Sequence, residues 1–343
     1  MRAQPQEGQS EPFLASPLCA TKAPGVSGTD PNFVRRRVLS PLRYPGGKRR
    51  LLPFLAAAMR ENGQLPGLFL EPFAGGASVA LELADLGLVE QIALADLDPW
   101  VASFWQTVFW DCEWLCEKVQ RMSVDLETWE RLKRTRAKSR RAQALACLFL
   151  NRTSFNGALH PSAGPLGGRA HKSSYDIACR FPRERIVKRL RACERLASEG
   201  KVAWVRCQPA LEAMRDARQQ AKSEGVEMFT YLDPPFWAKS SRLYRYGFAD
   251  FHHEELAEAL RWVKEPWLLS YDVSPDVSEL YEQHDAQQLN VELLYTGTRR
   301  SAYEELVITN LPLLPRDTKL WRTNADWSLL RAGRRTREPI RPA

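Results

Sequence analysis

Long apolar segments are absent from this 343-residue sequence. No run approaches the roughly 20 apolar residues that a membrane-spanning helix needs, and the first residues lack the apolar centre of a signal peptide. Residues 1–39 are instead rich in Pro, Ser and Gly, which predicts a disordered leader. A stretch rich in Arg and Pro predicts a basic tail over 316–343, either solvated or in contact with phosphates.

Paired cysteines are also lacking. The seven cysteines are scattered and odd in number, and none forms the C-x-x-C pair typical of a zinc site. Cys112 and Cys116 share one face of a predicted helix, a spacing that favours packing over metal ligation. The sequence therefore predicts a cytoplasmic protein without a metal site.

Acidic residues are scarce in one part of the chain. Between Arg121 and Arg195 there are 18 Lys or Arg against 6 Asp or Glu, an excess of 12, whereas the whole chain has a net charge of +8. The net excess of this segment exceeds the net charge of the whole chain, as expected of a surface that contacts nucleic acid. A solvated helical face is the alternative, and charge alone does not decide between them.

From Ser40 onward, apolar stretches typical of strands alternate with helical patterns. This alternation predicts an α/β fold with a doubly wound, mostly parallel, Rossmann-like sheet. A long helical stretch follows the second strand, and two closing extended runs predict an antiparallel edge. The predicted strands are GLFLEPF (67–73), QIALAD (91–96), KVAWVRC (201–207), MFTYLD (228–233), WLLSYD (267–272), QQLNVELLYTG (287–297) and EELVITN (304–310).

A turn containing Gly75 and Gly76 joins the first predicted strand to the next helix. Such a turn lets a small ligand approach the backbone at the carboxyl end of a strand. About twenty residues later the next strand ends at Asp96, where an acid can bind ribose hydroxyls. The turn lacks the G-x-G-x-x-G spacing of a pyrophosphate site and contains Phe73. A nucleoside cofactor without phosphates, S-adenosylmethionine, therefore fits; a plain tight turn is the alternative.

Six short segments add a more specific signal. They are RYPGGK (43–48), LEPFAGGAS (70–78), LADLDP (94–99), LFLNRTSFNG (148–157), YLDPPF (231–236) and TGTRRSAYEELVITN (296–310). In this order they resemble the Dam-type, or alpha-group, DNA adenine N6-methyltransferases. The resemblance implies a methyltransferase core over 40–118 and 202–315, and a mainly helical target-recognition insertion over 119–201.

The resemblance also assigns the cofactor site. It places Tyr44 and Lys48 at S-adenosylmethionine, where the ring can pack on the ligand and the ammonium can pair with its carboxylate. Asp96 takes the ribose-binding position, and Asp233 contacts both cofactor and target base. The alternatives without a ligand are a core aromatic for Tyr44 and a surface charge at the start of a helix for Lys48.

The catalytic residues implied are Asp233, Pro234 and Phe236. The exocyclic nitrogen of adenine is a poor nucleophile because its lone pair is delocalised into the ring. A carboxylate of Asp233 and a carbonyl of Pro234 that accept its two hydrogens would let the nitrogen aim its lone pair at the methyl group. The base must be flipped out of the duplex, and Phe236 would stack on it.

Three departures from the family pattern concern Phe236, Gln208 and the insertion. Phe236 stands where relatives have Tyr, Gln208 follows a strand after which many relatives have an acid, and the usual Phe-Gly turn is missing after NRTSFNG (151–157). NRTSFNG itself is expected either to cap an irregular turn or to contact DNA. His252 and His253 open a predicted helix and are expected at the surface. A catalytic role is not expected for them, because methyl transfer needs no histidine base.

The partner implied is double-stranded DNA, bound by a monomer that is either solitary or paired with a restriction endonuclease. Methylation of RNA or of the cytosine amino group, and a catalytically inactive DNA-binding relative, are the alternatives. Asp98 is expected to cap a helix from Pro99. Within the basic insertion, we expect phosphate contacts from Arg134, Arg136 and Arg140 and base contacts from Arg169 or Lys172.

Overall fold

The computed structural model describes residues 38–44, 46–169, 176–237, 245–296, 300–315 and 327–330. For residues 292–296, 300–303 and 327–330 it describes the backbone alone. Most of the predicted leader and of the predicted tail lies outside these residues. In the described parts of the chain, no helix is long and apolar enough to cross a bilayer.

Among the described residues, eight strands form one sheet, in the order β3-β2-β1-β4-β5-β7-β6-β8. Strands β1 to β5 are parallel to one another, whereas β7 runs antiparallel to β5 and to β6, and β8 is antiparallel to β6. The predicted fold class, a mostly parallel α/β sheet with an antiparallel edge, is thereby confirmed. The strands are β1 (Leu68–Glu71), β2 (Gln91–Asp96), β3 (Val202–Cys207), β4 (Met228–Leu232), β5 (Trp267–Asp272), β6 (Gln287–Thr296), β7 (Arg300–Thr309) and β8 (Trp327–Leu330).

The central strands are apolar throughout because both faces of the sheet are covered. Successive side chains of a strand point to opposite faces. Phe69 of β1 belongs to one buried cluster, in which it stacks on Phe229 of β4 with ring centroids 5.8 Å apart. Leu68 and Leu70, its neighbours in β1, belong to a second cluster on the other face. Two hydrophobic cores therefore hold the sheet in place.

The helices cover both faces of this sheet, and the described part of the stretch between β2 and β3 contributes five of them. Asp98 accepts a hydrogen bond from the backbone of Trp100 and so caps the helix that begins at Pro99, as the sequence predicts. The helices are α1 (Leu52–Glu61), α2 (Ser78–Leu86), α3 (Pro99–Trp110), α4 (Cys112–Arg121), α5 (Leu126–Arg134), α6 (Arg140–Thr153), α7 (Arg183–Ser198), α8 (Ala210–Glu224), α9 (Asp250–Leu260) and α10 (Pro275–Leu280).

The inserted helices share a core with the sheet. Helices α6 and α7 pack on α3, and Phe149 and Leu190 join the same buried cluster as Phe69. The helical character of the insertion matches the expectation, while its boundary at residue 119 stays a prediction. Rigid packing of this kind would hold the basic helices in a fixed position relative to the strand ends.

The closing strands differ from the expectation in two ways. Strand β7 begins at Arg300 rather than Glu304, and β8 lies within the segment predicted to be a basic tail. Both differences come from pairing with β6, a long-range contact that local sequence patterns do not predict.

Candidate active site

The order of strands changes direction between β1 and β4, which are neighbours although β2 and β3 lie between them in the sequence. In parallel sheets, ligands bind at the carboxyl ends of strands beside such a switch point. A cavity of about 1120 Å³ opens at this place and is lined by the turns that follow β1, β2 and β4. Its lining includes Tyr44, Lys48, Asp96 and Asp233, which the sequence analysis assigns to the site.

The turn after β1 is closely packed by Tyr44. Gly75 has φ +42°, and a Cβ placed there would lie 2.7 Å from the Tyr44 ring. The carbonyl of Gly75 also accepts a hydrogen bond from the indole of Trp105, at 2.9 Å. Gly75 therefore meets a steric need as well as a conformational one. Tyr44, expected to pack on a ligand, packs on this turn.

Asp96 holds the same turn from the end of β2. Its Oδ2 accepts a hydrogen bond from the backbone N–H of Gly75 at 2.9 Å, and its Oδ1 accepts one from the backbone N–H of Asp98 at 2.8 Å. Burial, followed by the charge of Asp98, raises the pKa of Asp96 to about 7. A carboxylate can accept about four hydrogen bonds, so acceptor capacity remains for a ligand hydroxyl.

Lys48 and Asp233 form an ion pair in the lining of the cavity. The Nζ of Lys48 lies 2.7 Å from Oδ1 of Asp233, and the Lys48 side chain is only 2% exposed. Burial raises the pKa of Asp233, and the ammonium of Lys48 opposes this shift. Lys48, expected to pair with a cofactor carboxylate, is therefore directed at the acid that follows β4.

Phe236 packs against Lys48 and Gly46, outside the lining of the cavity. Its ring centroid is 5.3 Å from the ammonium of Lys48, and a Cβ added to Gly46 would lie 2.7 Å from the ring. Pro234 is buried beside it, whereas Phe236 itself is half-buried. The loop before α1 and the turn after β4 thus touch through an ion pair, a cation–π contact and a steric contact.

Residues 44–160 match the family model for D12 class N6 adenine-specific DNA methyltransferases. This segment belongs to that family. The comparison with curated proteins gives no significant match. The match to this segment supports an adenine-specific DNA methyltransferase, as the resemblance of the motifs implies. The matched segment contains Tyr44, Lys48 and Asp96. Asp233 and Phe236 lie outside it in the sequence, and the fold brings both of them into contact with Lys48.

The lining of the methyltransferase cavity is rich in carboxylates near the glycine turn. Glu71 is buried and accepts a hydrogen bond from the backbone of Ala80 at 3.1 Å, and burial raises its pKa well above the ordinary value. Asp98 pairs with Arg245 at 3.2 Å. The described residues contain no group of His, Cys, Asp or Glu that could hold a metal ion.

Asn151 joins the insertion of the methyltransferase to the loop that carries Tyr44. Its side chain is fully buried, accepts a hydrogen bond from the backbone N–H of Arg43 at 2.7 Å and donates to the carbonyl of Gly157 at 2.8 Å. Asn156 adopts the left-handed conformation with φ 54°. The turn-capping interpretation therefore describes Asn151, and its side chain faces the protein interior.

The expectation of a surface histidine is wrong for His253. Its side chain is 0% exposed, and its Nδ1 lies 2.6 Å from the hydroxyl of Tyr271. Burial lowers the pKa of His253 to about 4, so the imidazole is neutral at physiological pH. His253 is a core residue because the first turn of α9 packs against β5.

Gln208 donates to Asp216 at 3.2 Å within the protein.

Sequence reasoning missed three residues beside Asp233. Ser270 of β5 donates to Oδ1 of Asp233 at 3.3 Å and lies 2.8 Å from the hydroxyl of Tyr231. Glu305 of β7 lies 3.6 Å from the ammonium of Lys48. The alternation of side chains in a strand could have found Glu305, since one of two consecutive glutamates in an apolar strand must face the core.

Proposed function

We propose that the protein transfers a methyl group from S-adenosylmethionine to the exocyclic N6 amino group of an adenine flipped out of a specific site in double-stranded DNA. The observation that carries this proposal is the ion pair of Asp233 with Lys48 at the cavity, with the ring of Phe236 beside the same ammonium. The family match supports adenine in DNA over the alternatives of RNA or cytosine.

The residues present suit S-adenosylmethionine. Acids outnumber Lys and Arg by seven to four in the lining of the cavity, a balance that suits a cationic sulfonium better than a phosphate. Asp96 would accept the ribose hydroxyls, and Phe73 and Leu97 offer apolar surface beside it. When bound, S-adenosylmethionine supplies the methyl group: its carbon–sulfur bond breaks as a carbon–nitrogen bond forms, and the methylated nitrogen then loses a proton.

Asp233 would orient the amino group. The prolines after Asp233 restrict the backbone, so that the carboxylate and the Pro234 carbonyl are held as acceptors before the base arrives. This positioning reduces the barrier without a covalent intermediate. Phe236 would provide a stacking face, worth about 1–3 kcal/mol for a base bound on an aromatic ring.

The basic insertion would hold the DNA backbone. Arg134, Arg136 and Arg140 are exposed, which suits contacts to phosphates. Arg169 is exposed in the loop after α6 and is our candidate for base readout, while Lys172 lies outside the described residues. Action as a monomer, and pairing with a restriction endonuclease, stay predictions.

The test uses the purified full-length chain with S-adenosylmethionine labelled in its methyl group. Double-stranded DNA, single-stranded DNA and RNA of the same sequence are incubated separately, digested and analysed by mass spectrometry. We expect N6-methyladenine in the double-stranded DNA arm. Label found only in RNA, or on cytosine, would refute the proposed substrate.

Two variants separate chemistry from binding. Asp233→Asn should reduce the single-turnover rate by at least about a hundredfold, because the amide is a poorer acceptor for the amino hydrogens. Asp285→Asn, a substitution at an exposed acid outside the cavity lining, is the matched control. Asp96→Ala should weaken cofactor binding measured by calorimetry, with or without a chelator. Wild-type rates in Asp233→Asn would remove Asp233 from the mechanism.

A further inference from the structure

Glu305 is a buried carboxylate with an unusual environment. Strand pairing places it in β7 between Asp272 of β5 and Val291 of β6, and the residue is only 8% exposed. Its Oε2 makes no hydrogen bond to any described residue. A buried carboxylate oxygen without such a bond is costly and calls for a reason beyond packing.

Lys48 lies between two carboxylates. Its ammonium is 2.7 Å from Oδ1 of Asp233 and 3.6 Å from Oε2 of Glu305. Asp233 lines the cavity with Lys48, whereas Glu305 lies behind Lys48 and outside the lining. A movement of about 0.8 Å toward Glu305 would give the ammonium a charge-assisted hydrogen bond of normal length there.

The ion pair restrains Asp233 in the reaction proposed above. Oδ1 of Asp233 accepts hydrogen bonds from Lys48 and from the hydroxyl of Ser270 at 3.3 Å. An ammonium at 2.7 Å withdraws charge from the carboxylate and makes it a weaker acceptor for a neutral amino group. The carboxylate would accept best once the ammonium has another partner.

We propose that Glu305 is a positioning residue for methyl transfer, which receives the ammonium of Lys48 when the target amino group engages Asp233. The inference rests on the proposed function. The positive charge of Lys48 stays in the site, while Asp233 Oδ1 keeps only the weak hydrogen bond from Ser270. Glu305 would act through Lys48 and would not touch the substrate.

The proposed exchange moves the ammonium of Lys48 from Asp233 to Glu305. The charged and titratable groups around Glu305 determine how this exchange depends on pH. Lys48 faces it from the turn before α1, Asp233 and Tyr231 from β4 and its end, and Asp272 from β5. Burial raises the pKa of Glu305 to about 7, and the charge of Lys48 opposes the shift. Ionised Glu305 attracts the ammonium, so the exchange should be favoured as pH rises through 7.

The experiment compares single-turnover methylation of double-stranded DNA by the wild type, Glu305→Gln, Glu305→Asp and Glu304→Gln between pH 6 and 9. Glu304 is the matched control, because it precedes Glu305 on the same strand but is exposed. We expect Glu305→Gln to lower the rate about tenfold at pH 8, with KM for DNA and cofactor affinity unchanged. The increase in rate around pH 7 should disappear in Glu305→Gln and persist in Glu305→Asp and Glu304→Gln.

The outcomes separate the inference from the proposed function. A wild type that transfers no methyl group to DNA would overturn the proposed function and the inference with it. An active wild type whose rate and pH profile are matched by Glu305→Gln would overturn the inference alone. A reduction in Glu305→Gln that is equal at every pH would show a structural role and would likewise refute the exchange.

Discussion

Replacing Glu305 with glutamine should stabilise the fold in a pH-dependent way. Burial raises the pKa of Glu305 from its ordinary 4.5 to about 7. Because the folded state then binds a proton more tightly than the unfolded state, stability is greatest below pH 4.5 and falls as pH rises toward 7. Glutamine has nearly the shape of a protonated glutamate and cannot ionise, so the variant escapes this destabilisation.

The magnitude follows from the difference between the two pKa values. Each pKa unit corresponds to about 1.4 kcal/mol. Glu305→Gln should therefore gain less than about 1 kcal/mol over the wild type at pH 5 and about 3 kcal/mol at pH 8. Asp96 and Glu71 also have raised pKa values, but they are present in both proteins and cancel in the difference.

Urea denaturation at pH 5, 6, 7 and 8 measures the free energy of unfolding of each protein. Glu304→Gln is the control for a change of net charge on the same strand, and we expect it to follow the wild type. A difference between Glu305→Gln and the wild type that is the same at all four pH values would refute the reasoning. A more stable but slower variant would identify Glu305 as a residue retained for function at a cost in stability.

Two further predictions concern the insertion. Asn151→Ala should destabilise the protein by about 3 kcal/mol, since Asn151 is fully buried and bonds the backbone of Arg43 and Gly157; a destabilisation below about 1 kcal/mol in urea denaturation would contradict this. Arg134, Arg136 and Arg140 changed together to Gln should reduce the slope of log affinity against log salt by about 0.9 for each phosphate that is no longer neutralised, without changing the methylated sequence. An unchanged slope would show that these side chains form only a solvated face.

Much of the fold could be predicted because its determinants are local. Strands β2 and β5 have the predicted boundaries, Asp98 caps α3 as expected, and the two closing runs pair antiparallel. Apolar runs, caps and turn residues act over a few positions, so a single sequence reveals them. The alternation also indicated where the insertion lies, between β2 and β3.

The sequence could predict which residues gather at one cavity, but not the contacts that they make with one another. Tyr44, Lys48, Asp96 and Asp233 all line one cavity. The sequence analysis directed Tyr44 and Lys48 at the cofactor, whereas in the structure one packs on the glycine turn and the other binds Asp233. Proximity follows from the strand order, but the choice of partner depends on distances of a few ångströms.

What the sequence alone determined, then, is the chemistry available at the strand ends: an acid before two prolines, a glycine turn and a lysine in a loop. Only the tertiary structure decided that Glu305 lies behind Lys48 and that His253 is buried against Tyr271. Glu305 is separated from Lys48 by most of the chain, and it reaches Lys48 because β7 inserts between β5 and β6. The alternation of the strand can indicate that Glu305 is buried, but only the strand order places it beside Lys48, where burial raises its pKa to about 7.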